Sequence, residues 1–174
     1  MATPLRFLVL GAFALLGVAC STHSDDDAVD QSLWPSNATQ LVFVDMGGGL
    51  PSPTPAGSDC PDAGAGSFTV TVADRKLTWD YCEPQTGAGN TQLTDSRTLP
   101  PAELQSVITA AKGVTLSTRT DCGADKPSEK LEISTPEGTK EYLDDFYACD
   151  KQGVYVANID TVSSLLSRLA FPAT

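Results

Sequence analysis

The chain has 174 residues, with 22 Asp and Glu against 11 Lys and Arg, so its formal net charge is −11. Its length and its 41% hydrophobic content fit one globular domain, and exclude a disordered chain or a membrane bundle. The negative charge repels phosphate backbones, so we expect no nucleic-acid partner. A single histidine excludes His-rich metal sites and most His-based catalysis.

The N-terminus has the pattern of an export signal. Arg6 supplies a minimal positive region, and the apolar run 7–19 is shorter than the roughly 18 residues that a membrane span needs. We therefore expect residues 1–19 to be a cleaved signal peptide.

The end of that run, residues 16–20, resembles the lipobox of bacterial lipoprotein signal peptides, with Gly17 where that family usually has Leu. The resemblance implies that Cys20 becomes the N-terminus and carries a diacylglycerol and a fatty acyl chain such as palmitate. Membrane lipid would then anchor the protein in the cell envelope, at the outer membrane or the periplasmic face of a membrane. A plain secretory cut after Ala19 is the alternative, and it would give a secreted soluble protein.

Residues 20–39 are polar and acidic, with Asp25, Asp26, Asp27 and Asp30 close together. They lack the interleaved acids and the late Glu of a calcium-binding loop. Like charges extend a chain, so we expect a flexible tether here, followed by one domain over 40–174.

The folded part begins with a short apolar run at 41–44, which predicts a strand buried on both faces. Three glycines follow and then Leu50 and Pro51, a sequence that cannot begin the helix of a phosphate-binding loop. Half of residues 47–66 are Gly or Pro, so we expect no regular element there.

A half-buried hairpin is predicted next, because apolar residues alternate with polar ones on both sides of a polar turn at 74–75. The inward positions are Phe68, Val70, Val72, Leu77, Trp79 and Tyr81. If residues 73 and 76 flank the turn, Ser67 lies opposite Cys82, within reach of Cys60.

After a polar loop, a helix is predicted over 101–112. Its apolar residues recur at i, i+3, i+4 and i+7: Leu104, Val107, Ile108 and Ala111. Pro101 suits the first helical turn, and Gly113 supplies a C-terminal stop.

The same order then recurs. Leu131 and Ile133 alternate, a turn follows at 136–138, and the run 142–147 returns toward Cys149, which predicts a second hairpin. A short strand at 154–157 precedes a helix capped by Asp160. Together these elements predict an α+β fold: a small antiparallel sheet built from two disulfide-braced hairpins, with two helices packed on it.

Cys60, Cys82, Cys122 and Cys149 remain for pairing if Cys20 is lipidated, and an exported protein meets an oxidising compartment. The order of elements favours Cys60 with Cys82 and Cys122 with Cys149 over the two other connectivities. No cysteine pair has the close spacing of a zinc site, so we expect no metal.

We expect no catalytic residue and no cofactor. The single histidine, His23, lies in the tether, and no nucleophile elbow or zinc-protease motif occurs. Asp144 and Asp145 are adjacent on a predicted strand and would point to opposite faces. The sequence therefore indicates a non-catalytic protein, with a carboxylate-based enzyme as an alternative.

The 46–66 loop is the candidate binding site for a protein partner. Long loops in compact domains tend to be functional or disordered, and a disulfide at Cys60 would lower the entropic cost of ordering this one. The candidate binding residues are Gly47, Gly48, Gly49, Leu50 and Pro51.

In the order of its elements, residues 41–170 resemble emfourins, the small bacterial metalloprotease inhibitors. The resemblance lies in a strand that ends in glycines, the segment 99–104 and the terminal Leu-rich helix. It implies protease inhibition as an alternative function and assigns no inhibitory residue. The main expectation is an envelope-anchored lipoprotein whose domain binds a ligand or a protein.

Overall fold

The computed structural model of the protein describes residues 32–47, 53–85, 89–123 and 126–172. The predictions for the signal peptide 1–19, for Cys20 and the tether as far as residue 31, and for Gly48, Gly49, Leu50 and Pro51 lie outside the described residues. Within the described ranges, no helix is long and apolar enough to cross a bilayer.

One eight-stranded sheet and two helices form the domain. The strands are β1 Gln40–Asp45, β2 Gly66–Thr71, β3 Lys76–Glu83, β4 Thr91–Thr98, β5 Thr115–Leu116, β6 Glu129–Thr135, β7 Gly138–Asp144 and β8 Tyr155–Ala157. The helices are α1 Pro101–Lys112 and α2 Ile159–Ala170. The sheet order is β4-β3-β2-β1-β6-β7-β8-β5, and among these described strands only β7 and β8 pair in parallel.

The predicted small antiparallel sheet of two hairpins is wrong. Both hairpins exist, but β1 pairs with β2 on one side and with β6 on the other, which joins them into one large sheet. After β7, a 3₁₀ segment at Asp145–Asp150 turns the chain so that β8 pairs parallel to β7. The sheet is therefore mixed.

Two strands were missed by the predicted elements. β4 lies where a polar loop was expected, and it is an edge strand that pairs only with β3. Leu93 is its single large apolar residue, so it lacks the alternation that identifies a half-buried strand. β5 has two residues and pairs with β8, a length too short to produce a pattern.

Three local boundaries also differ from the predictions. The first hairpin turns at 72–75 with Arg75 left-handed, so Ser67 faces Asp80 rather than Cys82. β7 ends at Asp144 instead of 147, because the Asp144 carboxylate accepts a hydrogen bond from the Phe146 N–H (3.1 Å) and starts the 3₁₀ segment. Asp160 lies in the first turn of α2 and does not cap it.

Both helices pack on one face of the sheet. Leu41 and Phe43 of β1 point to that face and are fully buried, whereas Val42 and Val44 are only partly buried. The prediction that this strand is buried on both faces is therefore wrong. Trp34 and Ala38, which precede β1, also belong to the core.

The two ends of the sheet differ. β1 runs from Gln40 beside Thr71 and Ser134 to Asp45 beside Gly66 and Glu129. We call the end with the described parts of the connections 46–65, 84–90, 117–128 and 145–154, together with the strand termini that they join, the loop end. We call the opposite end, with the turns 72–75 and 136–137 and the chain 32–39 leading into β1, the turn end.

Helix α2 crosses the strands instead of following them. Its first turn lies at the loop end, where Asp160 contacts Lys126 at 2.7 Å. Its C-terminal neighbour Phe171 lies against Trp79 and Tyr81 of β3, with ring centroids 5.8 and 5.7 Å apart. The helix thus covers the middle of the sheet from β7 to β3.

Candidate functional site

The loop end contains both disulfides, in the predicted pairing. Cys60 bonds to Cys82 with a Cα–Cα distance of 5.9 Å, and Cys122 bonds to Cys149 with a Cα–Cα distance of 5.1 Å. The first disulfide joins the 46–65 connection to β3, and the second joins the 117–128 connection to the 3₁₀ segment after β7. The loops of the loop end are therefore covalently braced.

Hydrogen bonds add to the Cys60–Cys82 brace. The buried Asn90 donates from its amide to the Cys60 carbonyl (3.3 Å), and its backbone N–H donates to the Ser58 hydroxyl (2.8 Å). The Asp59 N–H donates to the Asn90 carbonyl at 2.8 Å. We call residues 53–65, which the disulfide and these hydrogen bonds hold in place, the braced loop. The side chain that supports this loop, Asn90, is neutral.

Gly47 is the one predicted binding residue that the structure describes. It has a left-handed backbone (φ 69°), and its N–H donates to the Asp45 carboxylate at 2.9 Å. Just before it, the half-exposed Met46 donates from its N–H to the Ser128 carbonyl (2.9 Å). The start of the 46–66 loop is thus tied to the 117–128 connection.

Carboxylates mark the strand termini of the loop end. β1, β3 and β7 end at Asp45, Glu83 and Asp144, and β6 begins at Glu129. Further acids lie in the connections and in the first turn of α2: Asp59, Asp62, Asp121, Asp145, Asp150 and Asp160. Three cations accompany them in the described residues of this end: Arg119, Lys126 and Lys151. The loop end is strongly acidic.

Lys126 lies at the centre of a charge cluster that the sequence analysis missed. Its ammonium contacts Glu129 at 3.0 Å, Asp160 at 2.7 Å, and the buried Asp144. Its backbone carbonyl accepts a hydrogen bond from the Tyr147 hydroxyl. The cluster connects the 117–128 connection to β6, β7 and α2.

Burial and charge shift the protonation of this cluster. Burial raises the pKa of Glu129 to about 7, against the opposing attraction of Lys126. Burial disfavours the charged form of Lys126, but hydrogen bonds to Asp144, Asp160 and Glu129 outweigh it and hold its pKa above the usual range. Lys126 therefore stays a cation, while Glu129 titrates near neutral pH.

The chemistry of the cluster is charge compensation. Carboxylate oxygens of Glu129, Asp144 and Asp160 lie within 4.8 Å of one another, and such a set is chemically suited to a hard divalent cation. Lys126 already contacts all three, so its ammonium supplies a cation at this place. The neighbouring Asp145 points elsewhere, accepting from the Ser117 hydroxyl at 2.7 Å.

A sequence pattern for this cluster is nearly absent. Lys126 and Glu129 are three residues apart, whereas Asp144 and Asp160 come from distant elements. After β7, the 3₁₀ segment and β8 lead the chain into α2. This path brings the end of β7, with Asp144, and the start of α2, with Asp160, to the same place as Lys126. Ion pairs between residues of distant elements produce no periodic pattern in the sequence.

A shallow cleft of about 310 Å³ lies beside the braced loop. Three carboxylates line it, from Asp45, Asp62 and Asp80, together with the Cys60–Cys82 disulfide. Burial raises the pKa of Asp45, opposed by the Gly47 N–H and by Lys126. Asp45 at the end of β1 and Asp62 of the braced loop therefore lie on one concave, negatively charged surface.

Comparison with known proteins gives no relative for this chain. No protein-family model, no curated protein and no solved structure matches it significantly.

Proposed function

We propose that the protein is a lipoprotein of the cell envelope, anchored through Cys20, whose domain binds a protein partner at the loop end without catalysing a reaction. The observation that carries the proposal is the placement of the two ends. The chain enters the sheet at Gln40 on the turn end, and both disulfides lie at the loop end.

The placement of the two ends determines which end of the domain lies farther from the lipid anchor. Cys20 precedes Gln40 in the chain, so the anchor connects to the turn end. The six residues of β1 span about 20 Å at the rise of a β-strand. The anchored domain would then present its braced loops away from the lipid surface.

The loop end also has the properties of a recognition surface. The Cys60–Cys82 disulfide and the Asn90 hydrogen bonds hold the braced loop in place before a partner arrives, which lowers the entropic cost of binding. The excess of carboxylates over cations at the loop end, with Asp45, Asp62 and Asp80 around the cleft, attracts a partner with a basic surface and accelerates its encounter. We therefore propose a basic protein surface as the partner.

Site-specific photocrosslinking in the exporting cells tests this proposal. A benzophenone amino acid replaces Pro55 in the braced loop, and a matched variant replaces Asp74 in the turn 72–75. We expect a discrete protein adduct from position 55 that weakens as salt is raised, and none from position 74. Equal adducts from both positions, or none from position 55, would refute the proposal.

Metalloprotease inhibition is the second candidate, because a braced, exposed loop is the kind of rigid element that can occupy a protease without being ordered by it. The test adds the unlipidated protein in stoichiometric excess to metalloproteases of the same envelope. Inhibition requires a lower rate of peptide cleavage, and an unchanged rate in every case would exclude it.

A further inference from the structure

A second cleft lies at the turn end, away from the braced loop, with a volume of about 520 Å³. Its floor is the helix-facing side of β6 and β7, and its wall is the segment 32–37 before β1. Helix α2 crosses nearer the loop end and contributes no residue to the lining. We call this space the turn-end cleft.

The sheet register fixes which side chains form the floor. Ile133 pairs with Lys140 and Leu131 pairs with Tyr142, and paired residues point to the same face. Since Ile133 and Leu131 are buried in the core, Lys140 and Tyr142 also face the helix side. Gly138 borders open space, because a Cβ there would meet no atom within 4 Å.

The lining mixes apolar residues with polar ones, and the polar ones include Ser32, Asn37, Thr135, Glu137, Thr139 and Lys140. Leu33, Pro35 and Ile133 supply apolar surface on the wall and the floor. The volume of about 520 Å³ lies within the range of small-molecule sites.

The polar groups fall into two sets. At the rim, the Asn37 amide donates to the Glu137 carboxylate at 2.9 Å, so these two groups satisfy each other. On the floor, neither the Lys140 ammonium nor the Tyr142 hydroxyl has a hydrogen-bond or ion-pair partner among the described residues. Lys140 is exposed and Tyr142 is mostly buried, so a cation and a hydroxyl two residues apart on one strand border the cleft without a protein partner among the described residues.

We infer that the turn-end cleft binds a small organic anion with an apolar ring or chain, whose acidic group contacts Lys140 and Tyr142. The apolar part would lie against Leu33, Pro35 and Ile133. Charge complementarity to Lys140 selects the anion, and Glu137 at the rim opposes it. The site is distinct from the loop end and does not depend on the proposed protein partner.

The test uses two fluorescent probes that differ in charge: anilinonaphthalenesulfonate and its uncharged analogue phenylnaphthylamine. The protein is the whole mature polypeptide with Cys20→Ser and both disulfides intact. We expect saturable binding of the sulfonate, weakened about tenfold by Lys140→Glu, since reversing one surface charge removes an attraction and adds a repulsion. Binding of the uncharged probe should not change.

Two further variants keep the result interpretable. Lys76→Glu makes the same charge change at the turn end on β3, which β2 and β1 separate from the cleft floor on β6 and β7, and it should leave sulfonate binding unchanged. Glu137→Gln keeps an acceptor for Asn37 and should strengthen sulfonate binding. Circular dichroism verifies that each variant is folded, and Lys140→Gln replaces Lys140→Glu if the reversal unfolds the chain. Non-saturable binding, or equal losses for the variants at positions 140 and 76, would overturn the inference.

Discussion

The chain contains two units with the same order of a cysteine, a hairpin, a second cysteine and a helix: the first has Cys60 and Cys82, and the second has Cys122 and Cys149. The two units are held in different ways. Cys60 and Cys82 are 6% and 3% exposed, and the neutral Asn90 amide supports the braced loop beside them. Cys122 and Cys149 are exposed, and the neighbouring loop is held by charges around Lys126. Similar cysteine spacing, 22 and 27 residues, therefore says little about how deeply a disulfide is packed.

Removing the disulfides gives the largest expected difference between the units. By chain entropy alone, each loop is worth about 3 to 4 kcal/mol. The Cys60→Ser/Cys82→Ser variant also buries two hydroxyls, so we expect it to lose about 5 kcal/mol of unfolding free energy, against about 3 kcal/mol for Cys122→Ser/Cys149→Ser. Urea denaturation measures both.

The same contrast predicts the order of reduction. A thiol must reach the sulfur it attacks, so mild reductant should open Cys122–Cys149 well before Cys60–Cys82. Alkylation followed by peptide mass spectrometry gives the order. If both double variants lost the same unfolding free energy and both disulfides were reduced at the same rate, the two units would not differ.

Lys126→Met tests the charge cluster of the second unit. The variant leaves Glu129 and Asp144 buried without their cation. Breaking a fully buried pair costs about 3 to 5 kcal/mol, but Lys126 is partly exposed, so we expect a loss of about 2 kcal/mol in urea denaturation. Lys151→Met, an exposed neighbour at the same end, is the matched control and should change little.

Asn90→Ala tests the neutral support of the first unit. The change removes the hydrogen bond to the Cys60 carbonyl from a buried position, at a cost of about 1 to 2 kcal/mol. It should also speed hydrogen exchange in the braced loop while leaving the 117–128 connection as it was. Exchange that rises equally in both regions would contradict separate bracing.

We expect the free energy of unfolding to depend on pH through Glu129, which lies in the second unit. Its folded pKa of about 7 exceeds its usual value of 4.5, so the folded state holds this proton more tightly than the unfolded state. The stability that it contributes is complete below pH 4.5 and is lost as the pH rises through about 7. Glu129→Gln should flatten the unfolding free energy over this window, and an unchanged slope would show that another group titrates.

The smallest effect is expected at Arg119. It pairs with the exposed Asp121 at 3.0 Å and, at the longer distance of 3.7 Å, with the partly buried Asp145. Exposed pairs contribute little, so Arg119→Ala should change the unfolding free energy by less than about 1 kcal/mol. A larger loss would mean that the Lys126 cluster extends to this side chain.

Local periodicity explains which elements could be predicted. The first hairpin and α1 have regular apolar spacing, and the structure places α1 at the predicted residues 101–112. The disulfide pairing was predicted for the same reason, because hairpins bring neighbouring cysteines together. These features depend on contacts between parts of the chain that are close in sequence.

Features that depend on distant contacts could not be predicted in the same way. β4 is polar because an edge strand buries little, and the parallel pairing of β7 with β8 depends on the 3₁₀ segment between them. The cluster around Lys126 draws on three separate elements. The turn-end cleft exists because Trp34 and its neighbours pack onto the sheet. These residues belong to the polar segment 20–39, whose composition predicts no packing.

Intact mass spectrometry of the mature protein, isolated without reductant from the exporting cells, tests the account most directly. We expect a chain that begins at Cys20, carries lipid, and lacks the four thiol hydrogens of two disulfides. A chain that begins at Met1, with no lipid and with every cysteine as a free thiol, would contradict both the anchor and the orientation derived from it.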